Sequence, residues 1–78
     1  MKHEVVMTKW GEMTEGDIIA WHVKVGDHVE VDDVIAMVET EKVNAEIKSE
    51  VVGTISEIFF EEGATVEVGT VIAIITGQ

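Results

Sequence analysis

The chain repeats itself. Residues 16–36 align with residues 53–73 without a gap, an offset of 37 residues. Identical pairs along that alignment are Gly16/Gly53, Ile18/Ile55, Gly26/Gly63, Val29/Val66, Glu30/Glu67, Val31/Val68, Val34/Val71, Ile35/Ile72 and Ala36/Ala73. So many matches at one offset imply two similar supersecondary units packed against each other. Each unit reads as a strand, a glycine turn at Gly26 or Gly63, a short Val-Glu-Val strand, a second turn and a longer apolar strand. The second turn falls at Asp32-Asp33 in the first unit and at Gly69-Thr70 in the second.

Apolar positions alternate in short runs, and no 3.6-residue stripe of useful length is present. Helix content is therefore expected to be near zero. The predicted fold is all-β, a flattened β-barrel or sandwich of two pseudo-two-fold related four-stranded sheets forming a single domain over residues 1–78. Glu4-Val5-Val6-Met7 opens the chain as a strand candidate, and residues 18–25 and 55–61 are strands ending at the glycine turns. Residues 8–16, with two glycines and no period, read as a surface loop in which one or both of Trp10 and Met13 are expected to fold back on the core. Val29, Val31, Val66 and Val68 are expected to point inward around outward Glu30 and Glu67. With no proline in the chain, the sheet edges are expected to be protected by short strands and by Lys48, Glu57, Glu61 and Glu62.

Between the two units lies a hairpin. An apolar run, Val34-Ile35-Ala36-Met37-Val38, leads into Glu39-Thr40-Glu41-Lys42-Val43, and Asn44-Ala45-Glu46-Ile47-Lys48 leads out. With Glu41 and Lys42 as the turn, Thr40 faces Val43, Val38 faces Ala45 and Ala36 faces Ile47 on an apolar face. Glu39 faces Asn44, Met37 faces Glu46 and Ile35 faces Lys48 on the other. A one-residue slip would put Val43, Ala45 and Ile47 in water, which fixes the register. Glu-Lys is not the Asn-Gly type that two-residue hairpins prefer, so a type I turn or a slightly wider loop is expected. The repeat offset carries this turn onto the chain terminus. In a two-fold arrangement Lys42 therefore lies at the end of the domain away from the termini.

Composition excludes several function classes. Sixteen acidic residues face five lysines and no arginine, a formal charge of −11. Nucleic acid is disfavoured as a partner, since phosphate neutralisation needs a basic patch. There is no cysteine, hence neither a disulfide nor a thiolate metal site. His3, His22 and His28 lack ligand spacing, no serine has a plausible histidine and acid partner, and no glycine run forms a phosphate loop. Without a secretion signal or an apolar stretch of bilayer length, the expected location is the cytoplasm, away from membranes. The mitochondrial matrix is expected if this is the mature part of a eukaryotic protein.

Glu39-Thr40-Glu41-Lys42-Val43, with Gly26-Asp27 before it and Gly53-Thr54-Ile55 after it, resembles the lipoyl domain of the acyltransferase subunit of 2-oxo acid dehydrogenase complexes. The resemblance runs from Val5 to Ile74 and implies a barrel-sandwich hybrid fold. Glu41 stands where that family usually has Asp. The resemblance implies that a lipoate ligase joins lipoic acid to Lys42 by an amide, with Thr40, Glu41 and Val43 flanking the site. It further implies that a thiamine-diphosphate-dependent 2-oxo acid decarboxylase reductively acylates the arm. An acyltransferase catalytic domain then passes the acyl group to coenzyme A, and a flavin-containing dihydrolipoyl dehydrogenase reoxidises the dithiol. The domain itself is expected to be monomeric and non-catalytic, supplying presentation and effective concentration.

Two other classes compete. A biotinyl carrier domain of a biotin-dependent carboxylase shares the fold and the lysine position, but usually carries Met on both sides of the lysine, where this chain has Glu41 and Val43. An unmodified barrel used only for binding would have no need of the intact Glu-Thr-Glu-Lys-Val tip. A decarboxylase must also distinguish the domain from free lipoyl-lysine, which requires protein surface beside the tip. Lys9, Trp10, Gly11 and Glu12 are the candidate recognition loop, because the repeat does not account for them and large aromatic groups are favoured interface anchors. In the resembling family this loop typically reads Pro-x-Leu-Gly-Glu; here Thr8 and Trp10 replace the Pro and Leu.

Overall fold

The computed structural model describes residues 1–7, 14–40 and 43–77. Its strands are β1 (Lys2–Val6), β2 (Glu15–Trp21), β3 (His28–Val29), β4 (Val34–Glu39), β5 (Asn44–Lys48), β6 (Gly53–Ile58), β7 (Thr65–Glu67) and β8 (Val71–Gly77). They form two antiparallel four-stranded sheets, ordered β1-β8-β6-β3 and β5-β4-β2-β7. No helix occurs among the described residues. The sheets face each other as a flattened sandwich.

The repeat organises everything. Strands β2, β3 and β4 correspond to β6, β7 and β8, and β5 corresponds to β1. Each short strand crosses over: β3 pairs with β6 of the other unit, and β7 pairs with β2. Backbone hydrogen bonds fasten both crossings. Gly26 N–H donates to Ile55 O (2.8 Å), and Gly63 N–H donates to Ile18 O (2.6 Å). Ile55 N–H donates to Asp27 O (2.8 Å), and Ile18 N–H donates to Ala64 O (2.9 Å). The core inherits the symmetry, with Ile18/Ile55, Val29/Val66, Ile35/Ile72, Ala36/Ala73, Val38/Ile75 and Ile47/Val5 buried at matching places. Met7 is buried where the mate of its position is Ser49. The Ser49 hydroxyl is satisfied locally, donating to Val51 O at 2.6 Å.

Three expectations need correction. The hairpin register holds from Glu39↔Asn44 to Ala36↔Ile47, but the next pair is Val34↔Lys48, not Ile35↔Lys48. Ile35 is the extra residue of a bulge, and the local twist turns it inward beside Ala36, where both are 0% exposed. The second unit repeats the device at Ile72, between Val71 and Ala73.

Val31 is 54% exposed, so the expected alternation stops at Val29. β3 is only two residues long, and the chain then turns: Asp33 N–H donates to Glu30 O, and Glu30 N–H to the Asp33 carboxylate. Val31 occupies the first corner of that turn, pointing away from the core. Asp32, the second corner, has φ 74°, and its mate Gly69 has φ 90°. A left-handed second corner favours glycine, and Asp is among the few other residues that tolerate it. Val68, the mate of Val31, packs against the core.

Edge protection differs in part. Glu57 lies on β6, an inner strand, and Glu61 and Glu62 lie beyond its end; Lys48 lies on an edge as expected, the edge strands β1 and β5 carrying Lys2, Glu4, Glu46 and Lys48, and the other two edges, β3 and β7, are only two and three residues long.

Gly53 is fixed by close approach. It lies opposite Gly77, and a Cβ there would collide with the Thr76 carbonyl and the Ile75 side chain. Burial decides the outcome of trimming the valines. Val29→Ala should lower unfolding free energy by about 1–3 kcal/mol, whereas Val31→Ala should stay within about 0.5 kcal/mol of wild type. Urea denaturation of the two variants checks this, and equal losses would refute the placement.

Candidate functional site

Strands β4 and β5 lead to the hairpin base. Thr40 N–H donates to Val43 O at 2.8 Å, closing the chain around two residues. The Thr40 hydroxyl also donates to Val43 O (2.8 Å) and accepts from Val43 N–H (3.2 Å). Glu41 and Lys42 themselves lie outside the described residues, and so does the expected turn type. Val43 is 52% exposed, so the base opens to solvent on the side where the chain leaves Lys42.

The two-fold relation places a matching closure elsewhere. Gly77 N–H donates to Met1 O at 2.6 Å, in the position equivalent to Thr40 and Val43. Connectivity shows that the two closures are at opposite ends. Asp17 of β2 pairs with Glu39, and β7 pairs with the start of β2 through Glu15↔Glu67. The chain then turns into β8, whose seven residues run away for about 23 Å at roughly 3.3 Å per residue. The molecule measures 36 × 20 × 17 Å. The Thr40–Val43 closure and the Met1–Gly77 pair thus lie at opposite ends.

Lys9, Trp10, Gly11 and Glu12, the candidate recognition loop, lie outside the described residues, as does Met13. The points where the chain enters and leaves that segment are described. Met7 exchanges backbone bonds with Thr70 and Gly69 (2.9 Å each), and Thr14 O accepts from Val68 N–H (3.0 Å). Both points are fastened to the turn between β7 and β8, at the hairpin end. Of the other lysines, Lys2 begins β1 and Lys48 ends β5. Lys24 sits in the Gly26 turn rather than on a strand, its N–H bonded to the Asp27 carboxylate at 3.0 Å.

Two features were missed in the sequence. One is the Thr40 hydroxyl clasp; a Thr at the first position of a tight turn is the signal that would have found it. The other is electrostatic. Glu15, Asp17, Glu39 and Glu67 are exposed and adjacent in register across the hairpin end of one sheet, with Glu15 opposite Glu67 and Asp17 opposite Glu39. Only pairing of the strands reveals that grouping. The Thr65 hydroxyl donates to the Asp17 carboxylate at 2.6 Å. Among the described residues the one basic–acidic side-chain pair within 4.0 Å is His28–Glu30, and it is exposed. No group of three or more His, Asp or Glu among them has the geometry to hold a metal.

Comparison with known proteins agrees with this geometry. The family model described as "Biotin-requiring enzyme", the biotin/lipoyl model, matches residues 3–75. The chain belongs to the biotin/lipoyl attachment family. The dihydrolipoyllysine-residue acetyltransferase component of the pyruvate dehydrogenase complex of Corynebacterium glutamicum is 53% identical over 96% of this chain and 11% of that protein. The lipoamide acyltransferase component of the branched-chain alpha-keto acid dehydrogenase complex of Bacillus subtilis is 49% identical over 88% of this chain and 16% of that protein. This biotin/lipoyl domain therefore spans only about a tenth to a sixth of the length of these curated relatives.

Among solved structures, the lipoyl domain of the Azotobacter vinelandii 2-oxoglutarate dehydrogenase complex superposes with a TM-score of 0.75 at 32% identity. It covers 95% of this chain and 99% of that one. Kluyveromyces lactis urea carboxylase shares the fold with a TM-score of 0.83 at 24% identity, over 97% of this chain and 6% of that one. The fold is thus shared with a carboxylase, whereas the sequence likeness, at about half identity, is to acyltransferase components of dehydrogenase complexes.

Like charges directly opposite on paired strands oppose folding by a few tenths of a kcal/mol to about 1 kcal/mol. Glu15→Gln should therefore raise the unfolding free energy by about 0.2–1 kcal/mol. The gain should shrink as salt screens exposed charges. Thermal melts at low and high NaCl check both statements; a gain independent of salt would refute the electrostatic cause.

Proposed function

We propose that the chain is a lipoyl carrier domain of an acyltransferase component of a 2-oxo acid dehydrogenase complex, with Lys42 as the attachment residue. One observation carries the reading. Thr40 and Val43, the residues on either side of Glu41-Lys42 in the sequence, are hydrogen-bonded to each other at one end of the domain, in a chain about half identical to such acyltransferase components over most of this chain's length. Biotinyl attachment is the second reading, favoured by the description of the family model, "Biotin-requiring enzyme".

The residues at the site fit an attached acyl arm. The hairpin base is open at Val43, and the mated end of the fold holds Met1 and Gly77. In this reading a ligase, and afterwards several partners in turn, approach the attachment residue from the open side of that base. Lipoate, when bound, supplies a dithiolane that takes up an acyl group together with reducing equivalents. The chain's own contribution is to present it, to hold it clear of the core and to offer surface that a partner reads. Glu15, Asp17, Glu39 and Glu67 give that surface a negative field, which favours approach of a basic partner face and speeds encounter. The partners in this reading are a lipoate ligase, a thiamine-diphosphate-dependent decarboxylase, an acyltransferase catalytic domain and a dihydrolipoyl dehydrogenase.

Incubation with a lipoate ligase, lipoate and ATP should add a single lipoyl group, mapped by peptide mass spectrometry to Lys42. Lys42→Gln should abolish the adduct and leave the circular dichroism and melting temperature unchanged. Biotin incorporation by a biotin ligase, or lipoate on another lysine, would overturn the reading. For the adjoining loop, replacing residues 9–12 by a Gly/Ser linker should leave lipoylation of Lys42 unchanged. It should slow reductive acylation by the cognate decarboxylase about tenfold, roughly 1.4 kcal/mol of transition-state binding. The variant must melt as wild type does, and acylation at the wild-type rate would remove the loop from recognition.

A further inference from the structure

The pseudo-two-fold axis provides an internal control for the hairpin base. Equivalent positions must satisfy the same fold, so a difference between them shows what the fold alone does not require. At one end Gly77 N–H donates to Met1 O (2.6 Å), and at the other Thr40 N–H donates to Val43 O (2.8 Å). The backbone closure is the same. The hairpin end then adds two bonds with no counterpart, both made by the Thr40 hydroxyl. Its mate, Gly77, has no side chain.

The added bonds converge on one residue. Val43 C=O accepts from the Thr40 N–H and from the hydroxyl, and Val43 N–H donates to the same hydroxyl oxygen. A hydroxyl is the side-chain group that donates and accepts through one atom. Both polar groups of the Val43 backbone are thus held by Thr40. Val43 directly follows Lys42, their Cα atoms being one peptide apart, about 3.8 Å.

We propose that Thr40 is a positioning residue for lipoyl attachment, its hydroxyl fixing the backbone of Val43, the residue that directly follows the attachment lysine, for the ligase reaction. This inference rests on the lipoyl-carrier reading given above. In the transfer step the Lys42 amine attacks the carbonyl carbon of a lipoyl-adenylate made by the ligase from lipoate and ATP. The amide C–N bond forms, and the bond from the carbonyl to AMP breaks. AMP leaves with the electron pair, and the amine gives up a proton. No oxidant or reductant is needed. Rate in such a step depends on the reacting atoms being aligned. A loosened hairpin base leaves the recognised surface in place and reduces the fraction of aligned encounters. Its effect therefore falls on kcat rather than on KM.

The test measures ligase kinetics on the intact domain with lipoate and ATP, using wild type, Thr40→Val, Thr40→Ala and Thr40→Ser. Thr40→Val and Thr40→Ala should lower kcat about tenfold with KM for the domain unchanged, while Thr40→Ser restores it. Hydrogen exchange of the Val43 amide should speed up in the two hydroxyl-free variants and not in Thr40→Ser. Thr40→Ala adds no bulk and keeps the backbone closure, so it answers the question should Thr40→Val fail to fold. Wild-type kcat in a folded hydroxyl-free variant overturns the inference, as does a raised KM with unchanged kcat, or a Thr40→Ser variant as slow as Thr40→Ala. A wild-type domain that accepts no lipoate on Lys42 would instead refute the carrier reading itself.

Discussion

Reciprocal exchange of the two shortest strands is the constraint on which the rest depends. β3 completes the sheet built on β6 and β8, and β7 completes the sheet built on β2 and β4. A two- or three-residue strand has no stability of its own, since an isolated hairpin is already marginal in water. Each survives because the other unit supplies its partner and because the turn beside it is bonded to that partner at Ile18 or Ile55. Neither repeat can bury its apolar face alone. The symmetric core, the bulges that turn Ile35 and Ile72 inward, and the fixed separation of the two chain closures follow from that interlock.

Much of this was legible in the sequence because a repeat constrains in pairs. The offset that related Gly26 to Gly63 and Val29 to Val66 also located the turns, the short strands and the mate of the hairpin tip. What it concealed was local. Ile35 and Ala36 are successive apolar residues, and strict alternation must place one of them outside; only a bulge buries both. Val31 matched Val68 in identity, but the first lies at an exposed turn corner and the second packs on the core. An identity match transmits a position in the chain, not the depth of that position in the fold.

The candidate site was legible in part for a different reason. The Glu-Thr-Glu-Lys-Val stretch announced itself by resemblance, and hairpin register put its base where the structure has it. The role of Thr40 was invisible to alternation, which treats a threonine facing Val43 as one more inward residue. The grouping of Glu15, Asp17, Glu39 and Glu67 was invisible because its members come from three strands distant in sequence, brought together only by the exchange. Surface chemistry in this fold is assembled by topology, so residue type alone does not locate it.

The pairing of β8 has a consequence for the order in which the protein is made. β8 is the neighbour of both β1 and β6, so β1 has no partner until residues 71–77 are made, and until then β6 has only the two-residue β3. The β4–β5 hairpin, by contrast, closes on itself within residues 34–48. On the ribosome, where synthesis proceeds from the N-terminus, the β4–β5 pairing is therefore complete while Lys2–Val6, made before either of these strands, is still unpaired. Cooperative closure of the domain is deferred to the synthesis of its last strand.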